Sequence, residues 1–188
     1  MAGIVIAFIA LRTAKRLQKK RLQKKRLPKM TTPINPDVRI GHVHLKVADI
    51  ERALKFYCGV LGFELRQRYG SQAAFISAGG YHHHIGLNTW ESEAGSPPPS
   101  NCTGLYHLAI LYPTRAALAD ALRRLTAAKI PLDGASDHGV SEALYLRDPD
   151  QNGVELYWDR PKESWPRGPN GEQAMFTVPL DLDDLLRA

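Results

Sequence analysis

From Gly41 to Val47 the chain reads GHVHLKV, an alternation that sends Val43, Leu45 and Val47 to one face of a strand and His42 and His44 to the other. After Ala48 the period changes. Ile50, Leu54 and Tyr57 recur at helical spacing, Asp49 stands where a side-chain oxygen accepts the unpaired N–H groups of a first turn, and Gly59 and Gly62 close the run. The same order of periods returns from Tyr106. There His107 opens a strand-like run, Thr114 takes the capping place seven residues after it, as Asp49 does after His42, and Leu118, Ala121, Leu122 and Leu125 form an apolar stripe with Pro131 beyond it. Short strand-like runs follow each helix: ELRQRYG, AAFISAGG and YHHHIGLNTW in the first unit, SEALYLRD and GVELYWDR in the second.

These periods predict an α+β fold of two tandem βαβββ modules, at residues 38–90 and 104–162. A Ser-, Pro- and Gly-rich linker spans 91–103, and a C-terminal extension spans 163–188. A unit written twice is expected to stack its copies on a shared core and leave a cleft. The copies also align at their ends, since Ala74 to Gly86 and Ala143 to Glu155 each span twelve residues. Gly86 and Glu155 are therefore expected at equivalent places.

Charge changes the picture in one region only. The 188 residues carry a formal charge of +6, but residues 1–29 hold ten Lys/Arg and no Asp or Glu, which leaves fifteen basic against nineteen acidic residues in the remainder. Nucleic-acid binding is not expected of that acidic body. The arm, with nine apolar residues over Gly3–Leu11 ahead of a twice-written RLQKK, is too short to span a bilayer, and its charge follows the apolar run instead of preceding it. Three readings stay open for it: a solvated or helical tail, a peripheral anchor with a basic face, or translated upstream sequence before a start at Met30. Cys58 and Cys102 form no CxxC pair and no disulfide framework, which fits a reducing cytoplasm.

Candidate chemistry lies among the seven histidines. Strand parity turns His42 away from the apolar face, and His107 has the corresponding place in the second unit. Glu155 alternates with Val154, Leu156 and Trp158 and so shares the opposite face with Tyr157. Two histidines from equivalent strand starts and one carboxylate from a last strand can converge in the shared cleft. Two His and one carboxylate with open positions is the donor pattern of non-haem Fe(II) oxygenases. Asp148–Gly153, DPDQNG, reads as a turn ahead of Glu155.

The opening H-x-x-L-x-V-x-D from His42 to Asp49, followed by KFYCGVLGFEL, resembles the start of a vicinal-oxygen-chelate module, the superfamily of glyoxalase I, bleomycin-resistance proteins and extradiol ring-cleaving dioxygenases. The segment from His138 through Tyr145 and DPDQNG to Glu155 resembles the C-terminal signature of extradiol dioxygenases, and the chain from Val38 onward is similar to small bacterial catechol 2,3-dioxygenases. That resemblance implies a cupped sheet around a metal site, with His42, His107 and Glu155 as ligands of Fe(II), or of Mn(II), which the same donors accept. It implies insertion of O2 into a catechol next to the diol, giving a muconic semialdehyde in aromatic catabolism.

The same resemblance gives Tyr145 a hydrogen bond to substrate and His138 a substrate-contacting or supporting role. His83 takes the place of the family's acid/base His in H-x-x-A-F/L, whereas simple alternation puts His82 and His84 on the face of Gly86. The acid/base group is thus His83 by motif and His84 by parity. His44 is expected to line the cleft. Glyoxalase chemistry needs a fourth, carboxylate ligand, and Gly86 stands at its aligned position. The competing reading is a metal-free ligand-binding protein of the bleomycin-resistance kind. The expected partners are a small aromatic diol and O2, with a homo-oligomer as a further expectation and neither nucleic acid nor a membrane span.

Overall fold

Asp49 and Thr114 start the two principal helices as their chemistry requires: the Asp49 carboxylate accepts from Arg52 N, and the Thr114 hydroxyl from Ala117 N. A computed structural model describes residues 32–188, so the basic arm and Met30 lie outside the described residues. Residues 40–188 form one unit. The first module runs β1 (Val43–Lys46), α1 (Ile50–Leu54), a π-helical turn (Lys55–Val60), β2 (Glu64–Tyr69), β3 (Ala73–Ser77) and β4 (Ile85–Asn88). The second runs β5 (Leu108–Leu111), α2 (Arg115–Ala127), β6 (Leu132–Asp137), β7 (Ser141–Arg147) and β8 (Gly153–Asp159).

Both sheets repeat one topology. The first is ordered β1-β4-β3-β2 and the second β5-β8-β7-β6, with the opening strand of each module parallel to its last. The βαβββ order written in the periods is thus the order of the fold. Val47, Ile50, Leu54 and Tyr57 from the first module share one buried cluster with Leu118, Leu122, Leu125, Leu144 and Leu156 from the second. Removing such side chains from water stabilises by roughly 1.5–3 kcal/mol each, so the shared core is the main force joining the modules.

Polar contacts from the DPDQNG turn reinforce it. Asp148 Oδ1 accepts from Asp150 N and Asn152 N, and Gln151 takes a positive φ of 64° to close the turn. Asp150 Oδ1 then accepts from Ala48 N at 2.8 Å and Arg52 Nη2 at 2.6 Å, while Tyr57, fully buried at the π-helical turn, donates to Asp148 Oδ2 at 3.0 Å. Burial first, and Asp148 second, push the Tyr57 phenol well above its ordinary pKa, so it stays a donor.

Two expectations need correction. Ile76 and Ile85, nine positions apart, pair in the first sheet, whereas Leu146 and Val154, eight apart, pair in the second. The β3–β4 connection is therefore one residue longer, and Ala73, opposite Asn88, is the counterpart of Ala143, opposite Tyr157; Ala74 is not. Second, His82, His83 and His84 precede β4 and do not lie within it. Gly79 and Gly80, both at positive φ, turn the chain so that only Ile85–Asn88 enter the sheet. The C-terminal extension carries a 3-10 turn (Lys162–Ser164), β9 (Val178–Pro179) added to the edge of β6, and α3 (Leu182–Leu185). Among the described residues no helix is long and apolar enough to cross a membrane.

Candidate active site

His42 and His107 each stand one residue before the first strand of a module. Register then fixes what faces them. In the second sheet Ala109 pairs with Glu155, and Glu155 pairs with Tyr145; in the first, His44 pairs with Gly86, and Gly86 with Phe75. Gly86 and Glu155 are therefore equivalent, as are Phe75 and Tyr145.

The second module gathers its polar side chains into one line. His107 Nε2 lies 2.9 Å from Glu155 Oε2, Tyr145 Oη donates to Glu155 Oε1 at 3.1 Å, and His138 Nε2 lies 2.7 Å from Tyr145 Oη. His138 hangs on the β6–β7 connection, where its backbone N donates to Ser141 O and Gly139 turns at positive φ. Burial first, then the Glu155 charge and hydrogen bond, push the Tyr145 phenol up to about 12, so it holds its proton at neutral pH. A cavity of about 190 Å³ opens here, lined by Tyr106, His107, Gly134, Tyr145, Gly153 and Val154. Gly153 is required at that wall, since a Cβ would collide with Tyr106 O and come within 3.0 Å of His107 Cα.

In the first module the rings cluster differently. His42 packs against His83 with centroids 4.5 Å apart, His83 also meets Phe75 at 5.0 Å, and His82 Nδ1 lies 2.7 Å from His83 Nδ1. His84 turns away, its Nδ1 3.0 Å from Ser77 Oγ. Partial burial, then neighbouring His42 and His82, lower the His83 pKa. His44 lies over Gly86: a Cβ there would come within 2.8 Å of the imidazole, so this ring fills the place of a fourth carboxylate.

His107 and Glu155 fit a divalent cation. Ligand atoms about 2.1 Å from one ion sit about 3 Å apart when adjacent, which is the separation these two donors already have. Among the described residues His107 Nδ1 is buried without a hydrogen-bond partner. His42 is not brought to them; it is exposed beside His83, and among the described residues no group of three or more His, Cys, Asp or Glu could hold a metal ion. Sequence reasoning missed Phe176 and Thr177, which close on His138 Nδ1 at 3.2 and 3.1 Å. No periodicity or motif marks them.

Residues 39–156 match the profile of the Glyoxalase/Bleomycin resistance protein/Dioxygenase superfamily. The chain is 43% identical over 155 residues to a catechol-2,3-dioxygenase of Bacillus subtilis (strain 168), covering 82% of this chain and 53% of that protein. It is 31% identical over 121 residues to biphenyl-2,3-diol 1,2-dioxygenase 2 of Rhodococcus globerulus, covering 64% and 63%. The chain thus spans about half to two thirds of the length of these relatives. A glyoxalase/dioxygenase crystal structure from Nostoc punctiforme superposes with a TM-score of 0.56 at 20% identity, over 69% of this chain and 98% of that one, a likeness of fold. With the profile matched across both βαβββ modules and the strand order repeated in each, the chain belongs to the glyoxalase/bleomycin resistance/dioxygenase superfamily, with the vicinal-oxygen-chelate fold.

Proposed function

We propose that this protein is an extradiol dioxygenase that opens the ring of a catechol at the bond next to the diol, with Fe(II) held by His107, Glu155 and His42. The observation that carries this reading is the line of close contacts His107–Glu155–Tyr145–His138, a carboxylate and an imidazole at ligand spacing with a hydrogen-bonded phenol beside them. The sequence likeness to a catechol-2,3-dioxygenase supports it. Ferrous iron, when bound, supplies open coordination positions at which a diol and O2 meet; Mn(II) suits the same donors.

The chain's own groups do the rest. Tyr145 keeps its proton and donates from Oη to an anionic oxygen of the diol, in exchange for its bond to Glu155. His138 fixes the phenol from behind. His83 has Nδ1 engaged by His82, which leaves Nε2 to take the diol proton and later return it. His42, exposed and packed against His83, is the third ligand this reading calls for. Fe(II) and two free thiols suit a reducing cytoplasm.

The test is reconstitution with Fe(II) without oxygen, then catechol and air, following the yellow ring-fission product by absorbance. His107→Ala and Glu155→Ala are expected to lose metal and lower turnover by at least about 100-fold. Bound iron with no ring fission across a panel of catechols would remove the assignment, and failure to bind metal would favour a metal-free ligand-binding protein.

A further inference from the structure

After Arg160 the chain folds back over the second sheet and returns to His138. β9 pairs with Ser136–Asp137, Phe176 N donates to His138 O at 3.3 Å, and Phe176 with Pro166 closes over Gly139, where a Cβ would lie within 2.7 Å of each. Two atoms of this segment face His138 Nδ1: Phe176 O at 3.2 Å and Thr177 Oγ1 at 3.1 Å. They make opposite demands. A carbonyl can only accept, so it calls for a proton on Nδ1; a hydroxyl can donate, so it satisfies a lone pair there.

At the other end of the ring the choice has consequences. Tyr145 Oη has one proton and two claimants, His138 Nε2 at 2.7 Å and Glu155 Oε1 at 3.1 Å. An ionised carboxylate only accepts, so a phenol proton given to Glu155 leaves the Tyr145 oxygen to accept from Nε2–H. A neutral ring protonated at Nε2 has its lone pair on Nδ1. Only the Thr177 hydroxyl can serve that lone pair.

We infer that Thr177 is a positioning residue: its hydroxyl, donating to His138 Nδ1, holds the imidazole as the Nε2–H tautomer and so directs the Tyr145 proton toward Glu155 and whatever binds there. The donors then run one way, from Thr177 Oγ1 to His138, from His138 Nε2 to Tyr145, and from Tyr145 to Glu155. Without the hydroxyl, Phe176 O is the remaining neighbour of Nδ1 and draws the proton to it. Nε2 becomes an acceptor and takes the phenol proton from Glu155.

Thr177 is exposed, so its substitution leaves the core untouched. The experiment is imidazole nitrogen NMR on the 15N-labelled full chain at a pH where the ring is neutral, with the His138 signals identified by their loss in His138→Gln. Wild type and Thr177→Ser are expected to carry the proton on Nε2, and Thr177→Val to shift the tautomer ratio toward Nδ1 by on the order of tenfold, the worth of one hydrogen bond. A wild-type ring protonated at Nδ1 or at both nitrogens, or an unchanged ratio in Thr177→Val, would overturn the inference. A kinetic arm rests on the proposed ring cleavage: Thr177→Val is expected to lower kcat about tenfold with KM within about twofold, rescued by Thr177→Ser. Absence of ring cleavage would count against that function alone, and the tautomer measurement would still decide the role of Thr177.

Discussion

Gly153 shows how little room the chain leaves around His107. The glycine begins β8, and its α-carbon faces the backbone of Tyr106 and His107, where any side chain would collide with a carbonyl that cannot rotate away. Overpacking of this kind costs typically 1–3 kcal/mol and more when the obstacle is backbone. Gly153→Ala is therefore expected to lose about 3 kcal/mol or more in chemical denaturation and to separate His107 from Glu155, read as a loss of metal affinity exceeding that of a surface Gly→Ala control. Gly86→Ala presents a different case. Its obstacle is the His44 ring, an exposed side chain that can swing aside, so the glycine is a matter of occupancy and not of strain.

At the scale of elements, the C-terminal helix α3 is held by charge as much as by burial. Leu185 is fully buried, while Asp184 Oδ2 accepts from Arg115 Nη2 at 2.7 Å and Arg123 Nη2 donates to Leu186 O at 2.8 Å. Arg115, with help from Arg187, holds the Asp184 carboxyl below its ordinary value of 3.8. A depressed carboxylate pKa stabilises the folded state fully above the unfolded value and loses that contribution as the pH falls through the folded one. Protection of the Leu185 and Leu186 amides against exchange is thus expected to fall below pH 3.8. Asp184→Asn should show lower protection at neutral pH and no further loss over that acid window.

The modules were legible because each writes its period change, its cap and its closing glycines or proline in consecutive residues. Sequence could not fix the hairpin register, since the one extra residue between β3 and β4 lies in a turn built on Gly79 and Gly80 whose geometry no periodicity reports. The two-residue strand β9 is too short to have a period at all. For the site, strand parity and equivalent positions brought His107 to Glu155, and the signature put Tyr145 and His138 beside them. The place of His42 depends on how the two sheets approach, which is a property of the shared core and of no local motif.

For the whole molecule, Asp150 is the most exacting joint. It is buried, comes from the second module, and satisfies the Ala48 N–H of the first while pairing with half-exposed Arg52. Asp150→Ala is expected to cost about 1–3 kcal/mol, chiefly through the unpaired Ala48 N–H, because an ion pair with a half-exposed arginine contributes little in water. The transition should stay single, with calorimetric and van't Hoff enthalpies in agreement, since the common apolar cluster still couples the modules. Two separate transitions would show that the joint, and not the core, makes them one.

The pairing of Phe75 with Gly86 in one sheet, and of Tyr145 with Glu155 in the other, makes a nearly twofold backbone chemically one-sided. Two carboxylates at symmetric poles would leave a planar guest no reason to prefer one orientation over its mirror. Here one pole carries a carboxylate and a phenol while the other carries aromatic and imidazole rings and no carboxylate, so the direction in which a guest lies is decided by the broken symmetry before any contact specific to that guest is made.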